Sequence, residues 1–191
     1  MAEVVVPEPQ DPVAPGPPVT PGQVPGGRPP GRLERLRHLA AARAVLAVAP
    51  EPESWLDVGC GRGYFCAAAR RYFPYTAFDG LDATPLVEAA REAGRIEEAH
   101  RGLPEDPVTS LRLTGRYDVI SLLGVRPRPG RLRAIRPILR DGGHLLVDAR
   151  PDSPAALSAL TAAGYRPVPP PRRRLPWQPL LARPVRVRAE R

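Results

Sequence analysis

Trp55-Leu-Asp-Val-Gly-Cys-Gly-Arg-Gly-Tyr64 decides the fold of this chain. An apolar run reaches Asp57. Glycines then fall at Gly59, Gly61 and Gly63, and a helix-forming run, Tyr64-Phe-Cys-Ala-Ala-Ala-Arg-Arg71, follows. Glycines at this spacing turn the backbone tightly and let a ligand lie against bare peptide groups. The helix start adds unpaired N–H groups and a positive dipole end, which suit an anionic ligand group. The stretch therefore predicts strand, ligand-binding loop and helix.

The register of the glycines separates two ligands. A dinucleotide fingerprint needs Gly-x-Gly-x-x-Gly. Tyr64 stands where its third glycine would fall, which disfavours a nicotinamide-dependent oxidoreductase. The observed pattern is Asp57-Val-Gly-Cys-Gly-Arg-Gly63. It resembles motif I of the class I S-adenosylmethionine-dependent methyltransferases. That resemblance implies S-adenosylmethionine as cofactor, with the loop around its methionine part and the start of its ribose. It further implies that Asp57, Gly59, Cys60, Gly61 and Gly63 line the cofactor site.

Working outward, strands and helices alternate. Glu53–Val58, Thr76–Asp82, Glu97–Gly102, Tyr117–Leu123 and His144–Asp148 read as strands. Helices are expected over Arg32–Ala49, Gly63–Tyr72, Thr84–Ala93, Arg131–Leu139 and Pro154–Ala163. This alternation predicts an α/β fold with a parallel sheet and helices on both faces. Two extended runs, Tyr165–Val168 and Leu180–Arg188, follow. By resemblance to the family they form an antiparallel edge hairpin, giving a Rossmann-like sheet of seven mostly parallel strands. The resemblance covers residues 53–150.

In such a sheet the ligand lies beyond the carboxyl ends of the strands. Asp82 ends the second strand, 25 residues after Asp57. A carboxylate there can accept both hydroxyls of a ribose, the role the family gives its matching acid. Capping of the helix from Pro85 is the competing role, which Thr84 could also fill. Ala83 is expected beside the ligand. So are Leu103, after the third strand, and Leu122, at the end of the fourth. Leu103 stands where the family often has an acid for the adenine amino group. Glu105, Asp106 or backbone groups alone would then meet the adenine. Asp118, at the far end of the fourth strand, reads as structural.

Little points to the acceptor. Asp148, at the ligand end of the fifth strand, is the candidate base, with a capped strand end as the alternative. His144 reads as structural, and His38 as facing solvent. His100 is placed nearer the cofactor than the acceptor. Tyr64 could line the transfer region, and Arg126 and Arg128 could hold an anionic substrate. The short insertions imply a pocket left open or completed by a partner subunit.

Composition sets bounds. The chain has 191 residues, and all 28 basic residues are arginine. The absence of lysine excludes a lysine base or Schiff base. The absence of asparagine excludes the Asn-Pro-Pro-Tyr type of amine site. Net charge is +8, and the end from Pro171-Arg-Arg-Arg174 to Arg191 is basic. Only Trp177 could stack on a base there, which weakens a nucleic-acid reading. Cys60 and Cys66 have no nearby histidine, make a poor metal site and read as packing residues, so no metal is expected. Residues 1–30 hold ten prolines and read as a disordered tail before a domain over 31–191. No run reaches the ~18 apolar residues of a membrane span. No signal peptide is evident, so the cytoplasm is expected.

The functional expectation is methyl transfer to a small-molecule acceptor. Protein or RNA acceptors, and a non-catalytic cofactor-binding partner, remain as alternatives.

Overall fold

The computed structural model describes residues 29–169 and 179–185. In chain order the elements are α1 (Arg32–Val45), β1 (Ser54–Val58), α2 (Tyr64–Ala69), β2 (Ala77–Asp82), α3 (Leu86–Glu92), β3 (Ala99–Arg101) and α4 (Pro107–Leu113). Then come β4 (Tyr117–Leu122), α5 (Pro129–Ile135), β5 (Leu139–Val147), α6 (Pro154–Ala162), β6 (Tyr165–Pro167) and β7 (Leu180–Pro184).

The strands form one seven-stranded sheet in the order β3-β2-β1-β4-β5-β7-β6. β1 pairs in parallel with β2 and β4, and the parallel run extends to β3 and β5. β7 lies antiparallel between β5 and β6. The expected architecture is therefore present.

Helices cover both faces, so the strand side chains are buried on both sides. Alternation along each strand sorts them into two cores. Leu56, Ile120, Leu122, Leu145 and Val147 join Leu132, Ile135 and Leu160 beneath α5 and α6. Trp55, Phe78, Val119 and Leu146 join Phe65, Val87 and Ala42 beneath α1, α2 and α3. Trp55 is fully buried, with its ring 5.7, 5.3 and 5.4 Å from those of Phe65, Phe73 and Phe78.

The end of the sheet away from the glycine loop is fastened by Asp118. Its carboxylate accepts the backbone N–H groups of Glu53 and Ser54 at 2.9 and 3.0 Å, and meets Arg140 Nη1 at 3.0 Å. That fixes the starts of β1, β4 and β5 together, the structural role expected of Asp118.

Several boundaries differ from the sequence reading. α1 stops at Val45 rather than Ala49 and closes in a turn. The helix expected over Arg131–Leu139 starts earlier, with Pro129 in its first turn, and ends in a 3-10 turn, Arg136–Ile138. Pro137 offers no N–H to continue an α-helix there. β5 starts at Leu139, five residues before His144, because the Asp141-Gly-Gly143 stretch lies within the strand. α4 was not expected. Asp106 caps it, its carboxylate accepting Thr109 N–H at 2.9 Å, and Pro107 takes the first turn.

The reading of residues 1–30 as a tail lies outside the described residues, except for its last two. The basic stretch Pro171–Arg174, Trp177 and the continuation of the last strand beyond Val185 also lie outside them.

Candidate active site

Because β1, β2, β4 and β5 run parallel, their carboxyl ends share one edge of the sheet. That edge carries the glycine loop after β1, Asp82 at the end of β2, Gly124 after β4 and Asp148 after β5.

The loop glycines all have positive φ: 77° at Gly59, 51° at Gly61 and 71° at Gly63. A Cβ on Gly59 would come within 2.5 Å of Val125 Cγ2, so the loop is packed closely from below. A Cβ on Gly61 would meet nothing within 4 Å. This open face is where a ligand can approach the backbone. Gly63 then leads into α2.

Asp82 ties the loop to β2. One carboxylate oxygen accepts Gly61 N–H at 2.8 Å. The other accepts the Thr84 N–H at 2.8 Å and its hydroxyl at 2.7 Å. The competing capping role therefore has a basis, since Asp82 organises the turn into α3. Thr84 itself accepts Leu86 N–H at 3.4 Å. The Gly61-bonded oxygen keeps a lone pair for a ligand hydroxyl.

Asp57 lies beneath the loop and is 2% exposed. Ser121 Oγ donates to it at 2.6 Å, and Trp55 Nε1 donates to Ser121 at 3.0 Å. Burial pushes the Asp57 carboxyl up to about 7. The Ser121 hydrogen bond opposes this, and the nearby Asp82 charge adds to it. Cys66 Sγ approaches Asp57 at 3.9 Å, and both cysteines are buried and unpaired. Burial raises both thiols above their ordinary range, as expected of packing residues.

The other predicted residues divide. Ala83 and Leu103 are exposed at the same edge. Leu122 is fully buried in the core, and its carbonyl accepts Asp148 N–H at 3.0 Å. It does not line the open crevice. Of the two acids proposed for adenine, Asp106 caps α4 and Glu105 pairs with Arg131 at 2.7 Å. Arg126 and Arg128 are exposed in the loop after β4, and Asp148 is exposed after β5. Tyr64 lies under the Arg95 guanidinium at 4.6 Å.

Two histidines sit differently from expectation. His100 is buried away from the loop, with Nε2 3.2 Å from the Tyr117 hydroxyl and 3.8 Å from Asp79. Tyr117 donates to Asp79 at 2.7 Å, and Glu98 Oε2 lies 3.6 Å from His100 Nε2, so these side chains form a structural network at the β2–β4 side. Facing inward from β3, His100 cannot meet the cofactor edge. His38 does not face solvent. Its ring meets Phe65 edge-on at 5.8 Å, and its Nδ1 is buried. His144 lies mid-strand in β5, half-buried, as a structural residue should.

Sequence reasoning missed Ser121 as the partner of Asp57. A lone hydroxyl in the apolar run Val119-Ile-Ser-Leu122 was its only signal. The packing of His38 carried no such signal.

Comparison with known proteins identifies the class of protein. A family model described as a methyltransferase domain matches residues 31–177, and the chain belongs to that family. No curated protein matches the sequence. Solved structures share the fold at low identity. The mitomycin 7-O-methyltransferase is 20% identical, with TM-score 0.55, over 80% of this chain and 53% of its own. The chain thus spans about half the length of that enzyme. A sugar N-methyltransferase from a Streptoalloteichus species is 18% identical, with TM-score 0.59, over 78% of this chain and 87% of its own. The 1,6-didemethyltoxoflavin N1-methyltransferase of Burkholderia thailandensis, solved with that compound and S-adenosylhomocysteine, is 22% identical. Its TM-score is 0.58, over 81% of this chain and 80% of its own.

Proposed function

We propose that this chain transfers a methyl group from S-adenosylmethionine to a small-molecule acceptor, the class of substrate named for the similar O- and N-methyltransferases. One observation carries the cofactor reading: the Gly61 N–H to Asp82 hydrogen bond, which holds an open glycine backbone beside a free carboxylate lone pair. A cofactor with a ribose hydroxyl lying against a face without side chains fits that arrangement.

When bound, S-adenosylmethionine supplies an electrophilic methyl group on a positively charged sulfur. The chain's residues then have distinct work. Asp82 holds a ribose hydroxyl through the free lone pair of its Gly61-bonded oxygen, and the Gly59–Gly63 backbone holds the methionine end. Ala83 and the Gly102–Leu103 backbone flank the adenine, since both nearby acids are engaged elsewhere. Asp57 supports the loop from below, and its charge favours a cationic ligand. Cys60 packs beneath the loop. Arg126 and Arg128 border the acceptor side, where an anionic acceptor would find them.

The loops after β4 and β5 are short, which supports an acceptor side left open or completed by a partner subunit. Calorimetric titration with S-adenosylhomocysteine tests the cofactor reading. Micromolar binding is expected. A folded sample that gives no heat of binding would overturn it.

A further inference from the structure

His100, Asp79 and Glu98 converge where the short edge strand β3 meets β2. His100 Nε2 and one carboxylate oxygen from each acid all lie within 4.8 Å of one another. Nε2 stands 3.8 Å from Asp79 Oδ2 and 3.6 Å from Glu98 Oε2. Both separations are longer than a hydrogen bond. A ring nitrogen carries at most one hydrogen. The Tyr117 hydroxyl, 3.2 Å away, takes it, because that hydroxyl gives its own hydrogen to Asp79. Two carboxylate oxygens therefore face this nitrogen with no hydrogen bond between them. Ligand atoms bound at about 2.1 Å to one tetrahedral ion stand about 3.4 Å apart, close to the spacing seen here.

We propose that Asp79 Oδ2, Glu98 Oε2 and His100 Nε2 bind a divalent transition metal, with Zn(II) the ion that fits. One imidazole and two carboxylates suit zinc, and three protein ligands leave the fourth position of the tetrahedron for water. Calcium and magnesium take six or more ligands, nearly all oxygen. The charges of the two acids offset that of the ion. Asp79 is already held for the role. Its Oδ2 accepts the Tyr117 hydroxyl at 2.7 Å, and its Oδ1 accepts Glu98 N–H at 3.0 Å. Outer bonds of this kind orient a ligand. The His100 and Asp79 side chains are only 6% and 8% exposed, whereas Glu98 is 56% exposed. A surface pocket of about 290 Å³, lined by Glu98 and His100, gives the ion its way in. Arg116 meets Glu98 Oε2 at 3.2 Å, and Arg91 and Arg112 line the same pocket. Their charge opposes a cation, so micromolar rather than tighter affinity is expected. On binding, the ring hydrogen resides on Nδ1 and the Nε2 lone pair meets the metal. The ion clips β3, which has three residues and pairs only with β2, to the rest of the sheet. The site does not depend on the cofactor reading.

The untagged full chain, stripped with a chelator, is titrated with zinc chloride by calorimetry and with Co(II) by visible absorption. One ion per chain, micromolar affinity and the intense bands of a tetrahedral Co(II) centre are expected. Glu98→Gln removes a ligand at an exposed position and leaves the core intact. It is expected to weaken binding by roughly tenfold or more, at least the loss seen for an outer partner. Excess zinc should raise the Tm of wild type and leave that of Glu98→Gln nearly unchanged. Glu97→Gln, one residue away and outside the cluster, should bind zinc as wild type does. A folded wild-type sample that takes up no zinc at millimolar concentration overturns the site. Binding of equal strength in Glu98→Gln also overturns it, since the ion then sits elsewhere.

Discussion

Asp82 has two duties on one side chain. It fastens the glycine loop through Gly61 and shapes the turn into α3 through Thr84. Its loss should weaken cofactor binding by about 1–3 kcal/mol, or roughly 5- to 150-fold. Asp82→Ala, titrated with S-adenosylhomocysteine, is therefore expected to show that drop while the protein stays folded. Asp57 makes a different prediction. Its carboxyl rises from 3.8 to about 7 on folding. Between those values the folded protein holds a proton that the unfolded chain has released. Stability is greatest below the unfolded value, falls as pH rises through this window and levels off above it. Asp57→Asn removes that titration. Thermal midpoints of the variant should vary less than wild type across the window, and gain most above it. A cationic cofactor favours ionised Asp57. Binding near neutral pH should release a proton, seen as a dependence of the calorimetric heat on the buffer.

At the scale of elements, α4 is the clearest local test. Asp106 caps it at the end where Val108 and Leu111 are exposed, whereas Leu113 anchors its far end in the core. Asp106→Ala is expected to lower stability and to speed amide exchange across residues 107–113. This helix also shows what the sequence concealed. Asp106-Pro107 is a start signal, but with Pro104 nearby it reads as loop. The parallel strands were legible because their apolar runs alternate with helical spacing. The carboxylates of the crevice were legible because strand ends and glycines place them by topology alone. The burial of His38, the Ser121–Asp57 bond and the burial of Leu122 depend on how helices dock and which way a strand end faces. Such contacts are long-range and leave no local pattern. The engagement of Glu105 with Arg131 is of the same kind, since it joins residues on two separate segments.

For the molecule as a whole, the central packing unit is Trp55 among Phe65, Phe73 and Phe78. Its indole N–H also reaches Ser121 and through it Asp57, so core and crevice share a residue. Trp55→Ala should cost about 3–5 kcal/mol, read as a lower midpoint in chemical denaturation, and should loosen cofactor binding as well. The sheet order has its own consequence. β7 is the last strand in sequence, yet it lies inside the sheet, between β5 and β6. During synthesis, β5 and β6 emerge with nothing between them. The nascent sheet stays two strands short of closure until Pro184 has cleared the ribosome. Chains arrested before that point should remain protease-sensitive, and a few residues of further release should make them resistant. Insertion of β7 is then the step expected to close the sheet, whatever the helices have done before it.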